Sequence, residues 1–165
     1  MTSGKLPSWI QPMRRQDRQI SDNVRLWEIL RKADVCRIAF CAEGWPYIIP
    51  MNFGCLEDRL YFHSAAAGTK LDLLKANSNV CFEVEINVEI IPGKEACGWS
   101  AKFQSVIGFG HMSIVKDQEE KRAGIKALVA QYTDRIVPVP ALIPETTTIL
   151  RIDIESLTGK ESVGD

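Results

Sequence analysis

Residues 61–75 read Tyr-Phe-His-Ser-Ala-Ala-Ala-Gly-Thr-Lys-Leu-Asp-Leu-Leu-Lys. The stretch sets His63 and Ser64 before a run of small residues, and Gly68, Thr69 and Lys70 after it. His63, Ser64, Thr69 and Lys70 can all donate hydrogen bonds. Small residues let a ligand approach the backbone closely. A helix starting near Gly68 and Thr69 would present unpaired N–H groups and a partial positive charge, which suits a phosphate. Lys70 in the first turn opposes the dipole of its own helix, a penalty that a bound anion reverses. A plainer reading is also open: Thr69 caps the helix, Ser64 ends a strand and Lys70 is solvated. The segment is neither a Walker nor a dinucleotide motif.

The remaining chemistry-bearing residues are sparse. No nucleophile stands beside a base and no proton-transfer dyad is evident, which fits chemistry borne by a cofactor. The histidines are His63 and His111, and neither is spaced with cysteines as a metal site needs, so no metal is expected. His111 reads as a strand-surface or interface residue. Glu83, Glu85 and Glu89 resemble paired carboxylates only in composition and read as a solvated strand face with cross-strand lysine partners. Trp45 and Trp99 flank turn or loop positions, where sealing a ring or dimer edge and packing in the core are both open. The five cysteines are odd in number, have no C-x-x-C spacing and mostly sit in apolar runs. They read as buried free thiols of a reducing compartment.

The elements that must position these residues follow from periodicity. The chain has 165 residues, 45% hydrophobic, enough for one core. Residues 1–18 read as an N-terminal tail with Trp9 its candidate anchor, 19–160 as the domain, and 161–165 as a C-terminal tail. A helix capped by Ser21 or Asp22 follows the first tail, with Ile20, Val24, Trp27 and Ile29 or Leu30 at helical spacing, ending near Ala33. Strands are expected at 34–42, 46–55 and 59–64, joined by turns at Glu43-Gly44 and Glu57-Asp58. A short helix at 68–77 has Leu71 and Leu74 on one face. Residues 80–91 alternate apolar and polar, so one face of that strand should be buried throughout. A long strand near 101–115 contains Gly108 and Gly110, which mark a bulge, a bend or close backbone approach. Asp117 and Glu120 open a helix carrying Ile125, Leu128, Val129 and Tyr132, and a last strand holds Leu150, Ile152 and Ile154. Six strands with peripheral helices suggest a mostly-β, closed or nearly closed antiparallel barrel.

Net charge is −1, with 20 basic and 21 acidic residues, so no general attraction to nucleic acid or anionic membrane is expected. No apolar run approaches the roughly 20 residues of a membrane span, and no signal-like apolar region is seen, which places the expected protein in the cytoplasm.

Taken in order, five stretches resemble the pyridoxamine phosphate oxidase-like FMN-binding split barrels, closest to their nitroimidazole-resistance (Nim-type) branch. They are Arg37-Ile38-Ala39-Phe40, residues 46–54 (Pro-Tyr-Ile-Ile-Pro-Met-Asn-Phe-Gly), the segment from His63 to Lys75, residues 79–84, and Trp99-Ser100 with residues 105–110. The resemblance covers roughly residues 13–160. It implies a six-stranded antiparallel split β-barrel and flavin mononucleotide (FMN) at a homodimer interface. The strand from Ile49 would run beside the flavin ring, with backbone groups of Pro50, Met51 and Asn52 at its polar edge. His63 and Ser64 would stand near the phosphate. Gly68, Thr69 and Lys70 fall on the family's Ser-Arg-Lys phosphate triplet, of which only the lysine is kept, so His63 would supply the second cationic contact. Ser105 falls where a partner-subunit glutamine contacts the flavin, and Trp99 and Ser100 would belong to the same partner wall.

The family's pyridoxal-phosphate-binding residues have no match near residues 157–160, so vitamin-B6 oxidation is not expected. The function implied is FMN-dependent oxidation or reduction of a small-molecule substrate, an acceptor of nitroaromatic type in the Nim-type branch. The alternatives are a non-catalytic flavin-binding or redox-sensing module, and a haem- or deazaflavin-binding relative on the same barrel.

Overall fold

The computed structural model describes residue 10 and residues 12–164, so the expected anchoring by Trp9 lies outside the described residues. Along the chain come β1 (Gln19–Ile20), α1 (Asn23–Lys32), β2 (Cys36–Ala42), β3 (Trp45–Met51), β4 (Phe53–Leu56), β5 (Arg59–Ala65), α2 (Thr69–Ala76), β6 (Asn79–Ile91), β7 (Ser100–Ile114), α3 (Gln118–Ala130) and β8 (Thr147–Val163). All the pairings are antiparallel, in the order β3-β2-β6-β7-β8-β5-β4, with β1 added on β8.

The strand expected at 46–55 is two strands. It breaks at Asn52, and its halves go to opposite edges of the sheet: β3 pairs with β2, and β4 pairs with β5. The two edges are therefore consecutive pieces of one segment. The sheet curls until they meet through the chain itself, without a hydrogen-bonded ladder between them, and the result is a split antiparallel barrel. The break is held from outside. Phe53 N–H, at the start of β4, donates to the Tyr132 hydroxyl at 3.0 Å, and that hydroxyl donates to Asp34 O at 2.8 Å.

Side chains on the inner face fill the barrel. Phe40, Phe53, Phe62 and Phe82 are fully buried with Leu30, Ile38, Leu60, Leu150 and Ile152. Burial of each such side chain contributes about 1.5–3 kcal/mol relative to exposure. At the turn from β2 to β3, Glu43 and Gly44 have φ of 54° and 80°, and Ala42 pairs with Trp45. Two successive positive φ values match the right-handed strand twist and make a tight two-residue hairpin.

The alternation along 80–91 stops partway. Val80, Phe82 and Val84 are buried, but the register shifts between Ile86 and Glu89, with Asn87 left-handed at φ 56°. The extra residue makes a bulge that changes which side chains face inward. Val88 and Ile90 are left 54% and 59% exposed.

Each helix is placed by its cap and its small or apolar face. Asp22 caps α1 by accepting from Val24 N–H at 2.9 Å. The face α1 buries is Leu26, Ile29 and Leu30, whereas Val24, expected on that face, is exposed. Asp117 caps α3 by accepting from Glu120 N–H at 2.8 Å. The buried positions of α3 are Gly124 and Ala127, not the larger apolar residues around them. The helix lies so close to β4 that a Cβ on Gly54 would come within 2.3 Å of the Ala127 backbone.

β8 is longer than expected and continues to Val163, opposite Lys102 of β7. Gly110 sits at the β7–β8 bulge, and a Cβ on Gly108 would strike the Phe82 ring at 2.1 Å. Both glycines thus relieve crowding within the barrel itself. None of the described helices is long and apolar enough to cross a membrane.

Candidate functional site

The split leaves β3 as a free edge, and α2 is tied beside it. Asn77, just after α2, donates through Nδ2 to Cys41 O of β2 at 3.1 Å. Between these elements lies an open cleft of about 460 Å³, lined by Tyr47, Ile49, Pro50, Met51, Asn52, His63, Thr69 and Lys70. Seven of the residues singled out in the sequence therefore come together from three places along the chain: Ile49, Pro50, Met51, Asn52, His63, Thr69 and Lys70.

The others stand elsewhere. Ser64 is buried and its hydroxyl donates to Ala65 O at 3.0 Å. Gly68 precedes α2 with φ 132°, a conformation suited to glycine. Trp99 is 59% exposed before β7, Ser100 begins that strand, and Ser105 pairs opposite Glu85 and Lys160. These three are not part of the cleft formed by this chain. Tyr47 lines the cleft but was not among the residues singled out. Its signal was its position two before Ile49 and four before Met51, on the same face of one strand.

The chemistry of the cleft follows from its backbone as well as its side chains. Pro46 and Pro50 pair opposite Cys41 and Arg37 of β2, yet neither has an N–H to give. The ladder to β2 must then run through the alternate residues Tyr47, Ile49 and Met51, leaving the carbonyls of Pro46, Ile48 and Pro50 on the free edge. That edge is rich in acceptors and poor in donors, which discourages a further strand from adding to it. The donors lie across the cleft. α2 starts without a side-chain cap, and its first intrahelical bonds run from Leu71 and Asp72 N–H to Gly68 O. The N–H groups of Thr69 and Lys70 are not used in them. Lys70 has no ion pair among the described residues, which leaves its charge open to an anion.

Neighbouring charged groups are committed to each other. Arg37 bridges Glu83 and Glu85 at 3.2 Å each, and Glu89 stands opposite Lys102. Burial, then the Glu85 carboxylate, hold the Glu83 carboxyl above its usual range in spite of Arg37. His111 Nε2 lies 3.0 Å from Glu155 Oε1 on the strand surface. Trp45 and Trp99 are both exposed, so neither packs in the core. All five cysteines are free, but only Cys36 is fully buried; Cys41 and Cys97 are exposed. Burial pushes the Cys55 thiol up to about 12. No group of three or more His, Cys, Asp or Glu among the described residues is placed to hold a metal ion.

A family model described as pyridoxamine 5'-phosphate oxidase matches residues 22–161. No curated protein sequence matches the chain. Among solved structures, a candidate 5-nitroimidazole antibiotic resistance protein from Bacteroides thetaiotaomicron is 29% identical, with a TM-score of 0.75 over 86% of this chain and 85% of that one. A flavocytochrome from Azotobacter vinelandii is 20% identical, with a TM-score of 0.77 over 93% of this chain and 73% of that one. An FAD-binding protein from Mesorhizobium loti is 22% identical, with a TM-score of 0.64 over 88% and 97%. The last two likenesses are of fold.

Proposed function

The chain belongs to the pyridoxamine 5'-phosphate oxidase family, and from that premise we propose that it is an FMN-dependent oxidoreductase of a small acceptor. The observation that carries this reading is the cleft. It sets an acceptor-lined strand edge and the apolar side chains of Ile49 and Met51 against the uncapped start of α2, with Thr69, Lys70 and His63 at hand. A flavin mononucleotide has a planar apolar ring with a polar edge and a single terminal phosphate, and the residues present fit both parts. Pro50, Met51 and Asn52 would hold the ring edge through backbone groups, and Ile49 and Met51 would cover apolar surface. Thr69, Lys70 and the N–H groups of α2 would hold the phosphate, with His63 as a further donor. When bound, the flavin supplies hydride and electron transfer, and the protein binds it, orients it and limits water around it.

The cleft is open on one side, and a planar ring needs a second wall. In the proposed homodimer, Trp99, Ser100 and Ser105 of the partner subunit supply it. The exposure of Trp99, Val88 and Ile90 near the end of β6 and the start of β7 supports an apolar contact there. The likeness to a nitroimidazole resistance protein favours a nitroaromatic compound as acceptor.

The test is to purify the protein, record its visible spectrum, denature it and chromatograph the chromophore released. FMN is expected, bleached by a nicotinamide donor if the protein is catalytic. Relatives on this fold bind FAD, or FAD with haem, so FAD, haem or no chromophore after reconstitution would overturn the FMN assignment.

A further inference from the structure

We infer that Tyr47 is a phosphate-contacting residue of the flavin site, its hydroxyl donating to the terminal phosphate beside Thr69 and Lys70. The inference rests on the flavin reading above and adds to it a residue that neither the motif pattern nor the family assignment singles out. Tyr47 pairs directly opposite Phe40, and directly opposed residues of two strands share a face. Phe40 is 1% exposed, in the core, while Tyr47 on that same inner face is 40% exposed. The difference arises because the barrel opens at this level and Tyr47 faces the cleft instead of a neighbouring strand.

The end of β2 that pairs with Tyr47 is the one tied to the residue just after α2. Cys41, next to Phe40, accepts the hydrogen bond from Asn77 at 3.1 Å. Independently of that bond, Tyr47 lines the same cleft as Thr69 and Lys70 of the first turn of α2. Its hydroxyl has no hydrogen-bond partner among the described residues. A phenol hydroxyl can donate, and phosphate oxygens are acceptors. The backbone carbonyls that β3 leaves on its free edge are acceptors and cannot bind a phosphate. Of the β3 residues lining the cleft, Tyr47, Ile49, Pro50 and Met51, Tyr47 alone has a donor side chain.

The test compares FMN with riboflavin, which lacks the phosphate, by fluorescence titration of the full-length apo protein, wild type and Tyr47→Phe. The phenylalanine keeps the ring and removes only the hydroxyl, and an unchanged melting temperature confirms the fold. The expected result is that FMN affinity falls about ten-fold while riboflavin affinity does not change. Equal losses for both flavins would make Tyr47 a ring contact and overturn the inference, as would no loss for either. Wild-type protein that binds neither flavin would overturn the flavin reading itself, an outcome distinct from tight FMN binding that ignores the Tyr47→Phe change.

Discussion

Lys70 is poorly placed for its own helix and, in the proposed site, well placed for a phosphate. It sits in the first turn of α2, where a cation opposes the helix dipole, and it has no carboxylate partner among the described residues. A charge-assisted hydrogen bond to a phosphate contributes about 1.5–3 kcal/mol. Lys70→Ala should therefore weaken FMN binding roughly ten- to a hundred-fold. The apo protein should melt at an almost unchanged temperature, because no partner among the described residues is lost. Titration with FMN and a thermal melt of the apo form check both halves, and unchanged affinity would remove Lys70 from the site. By contrast, Arg151 is fully engaged. It donates to Glu120 at 2.7 Å and to Asp153 at 2.7 Å, and Glu120 also accepts from the Tyr61 hydroxyl at 3.1 Å. Glu120 looks in sequence like the closing residue of a capping box, but its side chain is spent on joining α3 to β5 and β8.

Among the elements, α3 decides the shape of the barrel's back. It buries Gly124 and Ala127 and so approaches β4 and Tyr61 more closely than larger residues would permit. Its C-terminal end then fixes two other elements. Gln131 donates to Leu30 O at 2.9 Å and Ala33 O at 3.0 Å at the end of α1, and Tyr132 holds Phe53 N–H at the β3–β4 break. Gly54→Ala would drive a methyl group into the α3 backbone, which cannot move as a side chain can. A cost of about 1–3 kcal/mol or more is expected. Urea unfolding should show the lower midpoint, and FMN affinity should fall as well, because displacement of α3 releases the break that aims β3 into the cleft. Wild-type stability in this variant would mean that α3 is less tightly seated than its contacts indicate.

For the whole molecule, the open cleft and the exposed apolar residues of β6 and β7 make assembly and ligand binding one question. If two copies share each site, FMN binds the dimer better than the monomer and strengthens it by mass action. Sedimentation equilibrium at micromolar protein should show a dimer whose dissociation constant drops when FMN is added. A monomeric holo-protein would refute the shared site and leave Trp99, Ser100 and Ser105 with structural roles alone. The two glycines of β7 do not bear on this question, since both accommodate groups of their own barrel.

Local rules made much of the chain legible in advance. Period-2 alternation, turn residues and caps identified α1, α2, α3 and most strands, because each depends on neighbours within a few positions. The cluster of His63, Thr69 and Lys70 was legible for the same reason, being one strand end, one loop and one helix start. What the sequence could not determine were the features set by distant partners. The break at Asn52 exists because β3 and β4 have different neighbours, β2 and β5, and Tyr132 holds the gap. The Asn87 bulge exposes Val88 and Ile90 although the alternation runs on unbroken in sequence, since register depends on β7 and not on the strand alone. The role of Tyr47 belongs to the same class. Its type suits a core as well as a cleft, and only the opening of the barrel opposite Phe40 leaves it lining the cleft.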